Sequence, residues 1–342
     1  MSKGNITVDN HLLNHPTLPV RLRRAQSTLI LLAVALALYG SVFIIMGTGF
    51  TLRHLFSLLK LASYLGIVAA GQMLTLLVGG TDMSVANLII LSGIVASSLF
   101  AAGFPLVAVI LLVLLMGLAI GFINGWFIAR VGLQPMVMTL AMGSILMGLC
   151  LIITNGAVRA GNSQILRDFC NKNIWNGLTG SVLMWLLVGL MVSWMLRRRR
   201  FGWEVYLVGS NERAAALSGI PVTSTRIKVY MLCSLLASLA GIMVLGYTGT
   251  TSLSQGDSYL LPGIAACLLG GVSPVGGKGG YGGVALGVFI LATIDNLLTI
   301  LRMSNAERQI LQGAILLAFI ILYNGGTEFG KILPKHRRPR YN

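Results

Sequence analysis

The feature that most constrains this chain is a series of long apolar segments separated by short polar ones. A transmembrane helix needs about 20 apolar residues, and a hydropathy window of about 19 residues finds ten candidates. The segments are 28–46, 55–78, 84–102, 106–128, 135–154, 181–196, 229–247, 259–272, 281–301 and 309–323. Because 56% of the residues are hydrophobic and only 10% are charged, against roughly a quarter charged in soluble domains, we predict an all-α, polytopic membrane helix bundle.

The eighth segment is shorter than most of the others. From Tyr259 to Val272 it has 14 residues, which at about 1.5 Å each cover roughly 21 Å of a hydrocarbon core about 30 Å thick. Pro262 and Gly263 lie inside it. We therefore expect a short, broken or re-entrant helix here. The glycine-rich stretch that follows is interpreted as a hairpin at the inner face, with a broken helix within the membrane as the alternative.

The positive charges predict how the helices are oriented. The net charge of +16 comes from 25 Lys and Arg against 9 Asp and Glu. If the N-terminus is cytoplasmic, all but seven of these cations fall on the inner face; the seven are Arg53, Lys60, Arg159, Arg167, Lys172, Arg302 and Arg308. Since cytoplasmic loops are enriched in Lys and Arg, we expect both termini inside and an even number of spans. This explains the charge without a nucleic-acid partner.

The same reading divides the chain into one membrane domain with two tails. We expect a cytoplasmic N-terminal tail at 1–27, a single transmembrane domain at 28–323 and a basic cytoplasmic tail at 324–342. Two polar loops are long enough to hold structure outside the bilayer. They are an outer loop at 155–180 and an inner loop at 197–228.

The inner loop contains the signals of a short helix. Ser210 or Asn211 can cap its start, Glu212 suits the first turn, and Gly219 with Pro221 makes a stop. The residues of this helix and its caps are Asn211, Glu212, Arg213, Ala214, Ala215, Ala216, Leu217 and Gly219. A helix of about two turns is marginal by itself, so we expect something to pack on it, either the rest of the loop or a partner protein.

Two acidic residues lie in or beside the predicted spans. Asp295, with Thr293 and Asn296 beside it, is the one acid placed well within a span. A packing hydrogen bond is the preferred interpretation, and a pathway-lining acceptor or a proton relay are the alternatives. Asp82 follows two glycines and precedes a helix that begins at Ser84, so a capping role is preferred there to contact with a solute.

Four stretches resemble the ribose-type permeases, the membrane subunits of ATP-binding cassette importers for monosaccharides and related molecules. They are FGWEVYLVGSNERAAALSGIPV at 201–222, GQMLTLLVGGTDMSVANLI at 71–89, LPGIAACLLGGVSPVGGKGGYGGVALG at 261–287 and RQILQGAILLAFI at 308–320. The match runs in order from about residue 29 to 323. Departures from the family signature occur at Thr81, Met83, Ala86 and Asn87, whereas Asp82 and Ser84 are kept.

The resemblance implies the partners of the chain. They are a second permease subunit, identical or a sister chain, two cytoplasmic ATPase domains and an extracytoplasmic solute-binding protein. It also implies that the helix around 212–217 couples the ATPase to the membrane domain, and we expect Ala215→Arg to uncouple hydrolysis from uptake. Gly276, Gly277 and Lys278 do not complete a phosphate-binding loop, because Val272 stands at its first glycine and Gly279 follows the lysine. ATP and magnesium are therefore expected on the partner, with no cofactor in this chain.

We thus predict a non-enzymatic permease subunit of the bacterial inner membrane that imports a monosaccharide or a related polar metabolite. No metal site is predicted, because the four histidines have no metal-ligand spacing. Three alternatives stay open. They are an ion-coupled secondary transporter that uses Asp295, a membrane receptor or scaffold, and the same importer class carrying nucleosides or autoinducer-2.

Overall fold

The computed structural model describes residues 17–46, 51–157 and 161–304, together with 307–308, 310–311 and 313–314. Within these residues the chain forms helices and no strand. The α-helices are α1 Thr17–Met46, α2 Leu52–Leu77, α3 Val85–Ala101, α4 Leu106–Trp126, α5 Pro135–Thr154, α6 Gln164–Asn171, α7 Gly180–Arg198, α8 Arg200–Ser210, α9 Glu212–Leu217, α10 Val222–Thr248, α11 Asp257–Leu269 and α12 Tyr281–Ile300. A π-helical turn, Phe127–Val131, extends α4. The all-α prediction is confirmed.

Six of the described helices are long and apolar enough to cross a membrane, namely α2, α4 with its π-helical turn, α5, α7, α10 and α12. Three shorter apolar helices accompany them: residues Leu31–Ile44 within α1, α3 and α11. The chain is therefore a multi-pass membrane protein. Most of the tenth predicted segment, 309–323, lies outside the described residues, so the total of ten spans and the position of both termini stay predictions.

Helix α10 is the centre of the bundle and packs against α2, α3 and α4. Its contact with α4 depends on three glycines four residues apart, Gly117, Gly121 and Gly125. A side chain at Gly121 would place its Cβ 2.6 Å from the Cα of Met231. Small residues at this spacing let two helix backbones approach closely, which is how helices associate where lipid removes the usual hydrophobic drive.

Helix α11 begins inside the bundle. Beyond Thr248 the chain turns at Gly249, which has a φ of 80°, and runs back until Gly256 packs against the backbone of Ala86 in the first turn of α3. Gly241 of α10 lies beside Ile89 of α3, which places Gly256 about 15 Å below the end of α10 at 1.5 Å per residue. This is roughly half of a hydrocarbon core.

The structure confirms the short eighth helix and moves its bounds. It spans Asp257–Leu269, with 13 residues and Pro262 inside, instead of 259–272. It ends earlier than predicted because Gly271, with a φ of 79°, turns the chain. The amides of Gly271 and Val272 then bond the carbonyl oxygens of Leu268 and Cys267, a common way to satisfy the end of a helix.

The inner segment at 197–228 holds structure, as expected, but more of it is helical than the single short helix that the sequence predicts. It holds α8, α9 and the first turns of α10, which begins at Val222 and not at 229. Glu204 is buried on α8. Arg200 pairs with its carboxylate at 3.0 Å, and Thr225 of α10 donates a hydrogen bond to it. Such partners make a buried carboxylate tolerable. The outer loop at 155–180 likewise contains α6.

The glycine-rich stretch forms a non-helical connection between α11 and α12. Gly277 donates its amide to the carbonyl oxygen of Leu77 at the end of α2, at 2.9 Å. Gly209 at the end of α8 packs on that same carbonyl group. The connection therefore closes the bundle at the end that carries α8 and α9, as a packed hairpin would.

Candidate functional site

The break between α2 and α3 is a buried polar cluster. Asp82 and Ser84 are both inaccessible to solvent, and one carboxylate oxygen of Asp82 accepts hydrogen bonds from the amide and hydroxyl of Ser84. Gln72 of α2 donates to the Asp82 carbonyl oxygen at 2.8 Å, and Asn124 of α4 donates to the Ser84 hydroxyl at 3.1 Å. This geometry ties three helices together. Asp82 accepts from Ser84, the residue before α3, and so stabilises the break itself, while its role as a helix cap stays a prediction.

Asp295 lies five residues before the end of α12 and faces a cation. Arg308 approaches its carboxylate at 3.5 Å, and the Asp295 side chain is 45% exposed. Thr293 is buried and donates to the backbone of its own helix at Phe289, while a buried oxygen of Asn296 has no hydrogen-bond partner among the residues that the structure describes. The structure thus places Asp295 in a partly exposed ion pair near a helix end, away from Asp82 and Ser84.

Arg308 is held in place by a local cap. Ser304 and Glu307 bond each other reciprocally, with the Ser304 amide 2.6 Å from the Glu307 carboxylate and the Glu307 amide 3.4 Å from the Ser304 hydroxyl. Such a box starts a helix, and these donors lower the pKa of Glu307. The chain after α12 therefore returns with Arg308 directed at Asp295.

Sequence reasoning missed Asp257, the first residue of α11. The polar run from Thr250 to Ser258 looked like an external loop between two spans, but the structure returns it to about half the depth of the bundle. In the single chain Asp257 and Ser258 are exposed, as are Ser252 and Ser254. An ionisable group at membrane depth is expected to face a water-filled cavity and not lipid, so these exposed side chains are the candidates for contact with water inside the membrane.

The polar run is held in a defined shape. Gln255 donates to the Thr248 hydroxyl at 3.1 Å, and that hydroxyl donates to the carbonyl oxygen of Thr250 at 2.8 Å. Next to it is a cavity of about 140 Å³ between α3, the end of α5 and the run itself. The side chains that line it include Ile94, Thr154, Thr251 and Ser252. A dense set of hydroxyl groups on a fixed backbone can exchange hydrogen bonds with a hydroxylated solute.

Helix α9 is present where the sequence predicts it. The side chain of Asn211 accepts from the Ala214 amide at 3.0 Å and caps the start. At the other end Gly219, with a φ of 75°, and Ile220 bond back to Ala216 and Ala215. Glu212 anchors the helix to α10 through two bonds of 2.7 and 2.8 Å with Arg226.

Exposure on α9 changes the choice of test residue. Of its six residues Ala215 alone is buried, whereas Leu217 is 91% exposed. The expectation that Ala215→Arg would uncouple hydrolysis from uptake stays a prediction, but this variant cannot isolate coupling, because an arginine at a buried position would also disturb the packing of the chain itself. Leu217 presents an apolar side chain to the outside and is the better probe.

Comparison with known proteins identifies the family. A family model described as branched-chain amino acid transport system / permease component matches residues 54–320. This chain belongs to that permease family. No group of three His, Cys, Asp or Glu residues that could hold a metal ion occurs in the part of the chain that the structure describes.

Several relatives of this permease are named for the solute they move. The ribose import permease protein of Escherichia coli K12 is 34% identical over 302 residues, 87% of this chain and 93% of that protein. The L-arabinose ABC transporter permease of Azospirillum brasilense is 31% identical, over 84% of this chain and 85% of its own. The autoinducer 2 import system permease of Yersinia pseudotuberculosis is 31% identical, over 85% and 82%. No solved structure matches the chain. The resemblance to ribose-type permeases is confirmed.

Proposed function

We propose that this permease is the membrane subunit of an ABC importer that carries a monosaccharide, or a similarly hydroxylated small solute, across the bacterial inner membrane. The observation that supports this most directly is the exposed polar run between α10 and α11 at about half the depth of the bundle. Transporters commonly place their solute route at such interrupted helices near the midplane. The relatives named for ribose, arabinose and autoinducer 2 support the solute class.

The chemistry of the run suits passage more than tight binding. Ser252, Ser254 and Ser258 supply neutral hydroxyl groups that both donate and accept, and Asp257 supplies an acceptor. Hydrogen bonds to such exposed groups replace bonds to water and contribute little net affinity. A solute could therefore be released from this wall as easily as it arrives. Capture and much of the selectivity are assigned to an extracytoplasmic solute-binding protein.

We propose that the ATPase acts on the membrane domain through α9. A cytoplasmic ATPase, holding ATP and magnesium, would receive the exposed side of this helix, including Leu217. Since Glu212 and Arg226 join α9 to α10, and α10 packs on α2, α3 and α4, a displacement of α9 would be passed to the centre of the bundle as a rigid body. A second permease subunit, identical or a sister chain, would complete the route.

Uptake by reconstituted vesicles tests the function. The chain, its ATPase and its binding protein are placed in liposomes, and labelled ribose, arabinose, an aldohexose and a branched-chain amino acid are offered in parallel. We expect ATP-dependent accumulation of a sugar. Uptake that needs an ion gradient and ignores ATP would instead identify a secondary transporter, and binding without accumulation would identify a receptor. The pairing of Asp295 with Arg308 gives no support to an ion-coupled route through that acid.

Leu217→Asp tests the coupling helix in the same vesicles. Its side chain makes little contact within the chain, so we expect a normal melting temperature together with at least a tenfold loss of uptake. Ser218→Ala, a neighbouring exposed change, is the control and should retain uptake within about twofold. If Leu217→Asp transports normally at normal protein levels, α9 is not the coupling element.

A further inference from the structure

A second candidate binding site lies away from the polar run, where α4 meets the start of α10. A cleft of about 580 Å³ opens there, at the end of the bundle that carries α8 and α9. We call it the α4–α10 cleft. Its wall includes Arg130, Thr223, Ser224 and Lys228 as polar residues and Phe122 and Met231 as apolar ones.

The packing register of α4 and α10 shows how deep in the bundle each residue of the cleft lies. Gly125 packs against Ile227, where a Cβ would come within 2.7 Å of the Ile227 Cα, and Gly121 packs against Met231. The helices are antiparallel, so Arg130, five residues beyond Gly125, lies level with the first turn of α10. Phe122, three residues before Gly125, lies deeper, close to the level of Met231. The cleft is therefore cationic at the helix ends and apolar further in.

The two cations of the cleft have no carboxylate partner among the described residues. Neither Arg130 nor Lys228 forms an ion pair with any residue that the structure describes. The neighbouring acids are already engaged, Glu204 by Arg200 and Glu212 by Arg226. The hydroxyl groups of Thr223 and Ser224 add donors at the same level. An anion that reaches this position meets two positive charges and several hydrogen-bond donors.

The apolar part of the cleft decides which anion fits. Phe122 is 48% exposed, and on the same helix Leu115 and Leu111 are 59% and 56% exposed, so the cleft continues into an apolar surface of the kind that faces acyl chains. A free phosphate would leave Phe122 uncovered, whereas a phospholipid would cover it and place its phosphate between the cations. Basic pockets between helices on the cytoplasmic side suit acidic headgroups, and the charge distribution of the sequence places this end at the cytoplasmic face.

We propose that the α4–α10 cleft binds an anionic phospholipid of the inner leaflet, with its phosphate between Arg130 and Lys228 and an acyl chain against Phe122 and Met231. Binding there would brace the α4–α10 contact at the end nearest α9. The site is separate from the solute route, so it stands or falls independently of the proposed transport function.

The test measures lipid retention on the purified full-length chain. Native mass spectrometry compares bound phosphatidylglycerol with phosphatidylcholine, and thermal melting follows the same pair in detergent. We expect selective retention of phosphatidylglycerol and a higher melting temperature with it. The double variant Arg130→Gln/Lys228→Gln should weaken phosphatidylglycerol binding about thirtyfold, from roughly fivefold for each basic residue. The double variant Arg130→Lys/Lys228→Arg keeps both positive charges and should retain most of the phosphatidylglycerol binding.

The matched control is Arg197→Gln/Arg213→Gln, which removes two charges from the same end of the bundle but outside the cleft. An equal loss in this control would overturn the proposal in favour of diffuse attraction. Inorganic phosphate is added in the same melting experiment. A rise in melting temperature as large as that given by phosphatidylglycerol would overturn the proposal in favour of a site for the phosphate group alone. Equal retention of the two lipids by the unmodified chain would overturn it as well, and this measurement holds even if a variant fails to fold.

Discussion

The two interruptions of the bundle have similar sequences and opposite surroundings. Between α2 and α3 the chain carries Asp82 and Ser84 after a pair of glycines, and at the start of α11, directly after Gly256, it carries Asp257 and Ser258. Asp82 and Ser84 are fully buried and bonded to each other. Asp257 and Ser258 are exposed in the single chain, at about half the depth of the bundle.

The helices packed around a break, and not the residues of the break itself, decide whether its polar side chains are buried or exposed. The first break is enclosed by helices on its open sides, since Gln72 of α2 and Asn124 of α4 both reach it. The second opens on one side, because α11 packs on α2, α3 and α12 and leaves Asp257 and Ser258 uncovered. Enclosed polar groups stabilise the architecture, whereas uncovered ones at membrane depth are expected to face water, which is the basis of the solute route that we propose.

The largest effect is expected from Asp82→Ala. It removes the acceptor for the Ser84 amide and hydroxyl, and unsatisfied buried donors cost about 1–3 kcal/mol, so we expect about 2 kcal/mol less stability and poor yield. Asp82→Asn keeps one acceptor oxygen and should retain most of the stability. Unfolding by SDS titration measures both. If Asp82→Ala is as stable as the unmodified chain, the buried polar cluster between α2 and α3 does not stabilise the bundle, and the contrast between the two breaks is wrong.

Gly256→Ala is expected to destabilise by about 1–3 kcal/mol, as overpacking does. Its new methyl group would collide with the Ala86 backbone oxygen, which has little room to move. Gly282→Ala is the control, because nothing lies within 4 Å of a Cβ there. Equal melting temperatures for the two variants would show that α11 does not begin against α3.

Asp257→Asn should change transport and leave stability almost unchanged. The side chain is exposed, so its loss is expected to alter the unfolding free energy by at most about 0.5 kcal/mol. Loss of one acceptor on the route is expected to slow sugar uptake roughly fivefold to tenfold. The readout is the initial rate of uptake in vesicles at matched protein levels. A variant that unfolds, or one that transports at the normal rate, would contradict this role.

The smallest effect is expected from Asp295→Asn. A partly exposed ion pair is worth about 0–1 kcal/mol, and Arg308 meets the carboxylate at the long distance of 3.5 Å. We expect uptake within about twofold of normal and an unchanged pH profile. Initial rates from pH 5 to 8 provide the measurement, and a shifted profile would revive the proton-relay alternative for this acid.

Features encoded by neighbouring residues were predictable from the sequence. The cap at Asn211 and the stop at Gly219 define α9, because each depends on hydrogen bonds within one or two turns. The short helix near Pro262 was also predictable, since its length is set by the polar run before it and the glycines after it. The family followed from four motifs in the correct order.

Features that depend on distant residues were not predictable in this way. From the sequence alone, α8 is assigned to a loop. Burial of Glu204 on this helix depends on a hydrogen bond from Thr225 of α10, a distant residue. Asp295 was placed well within a span, although Arg308 from beyond α12 reaches it. Asp257 was overlooked because a polar run between two apolar segments looks the same whether it stays outside the membrane or returns into the bundle.

The sequence by itself determined that this chain is a helical membrane protein of the permease family with a short helix α9, because apolar length, charge bias and capping are local properties. Only the tertiary structure decided which polar residues are enclosed and which are uncovered. That outcome depends on where α11 re-enters beside Ala86 and on how closely α4 approaches α10 at its glycines. Depth within a bundle is a relation between helices, so no single segment can specify it.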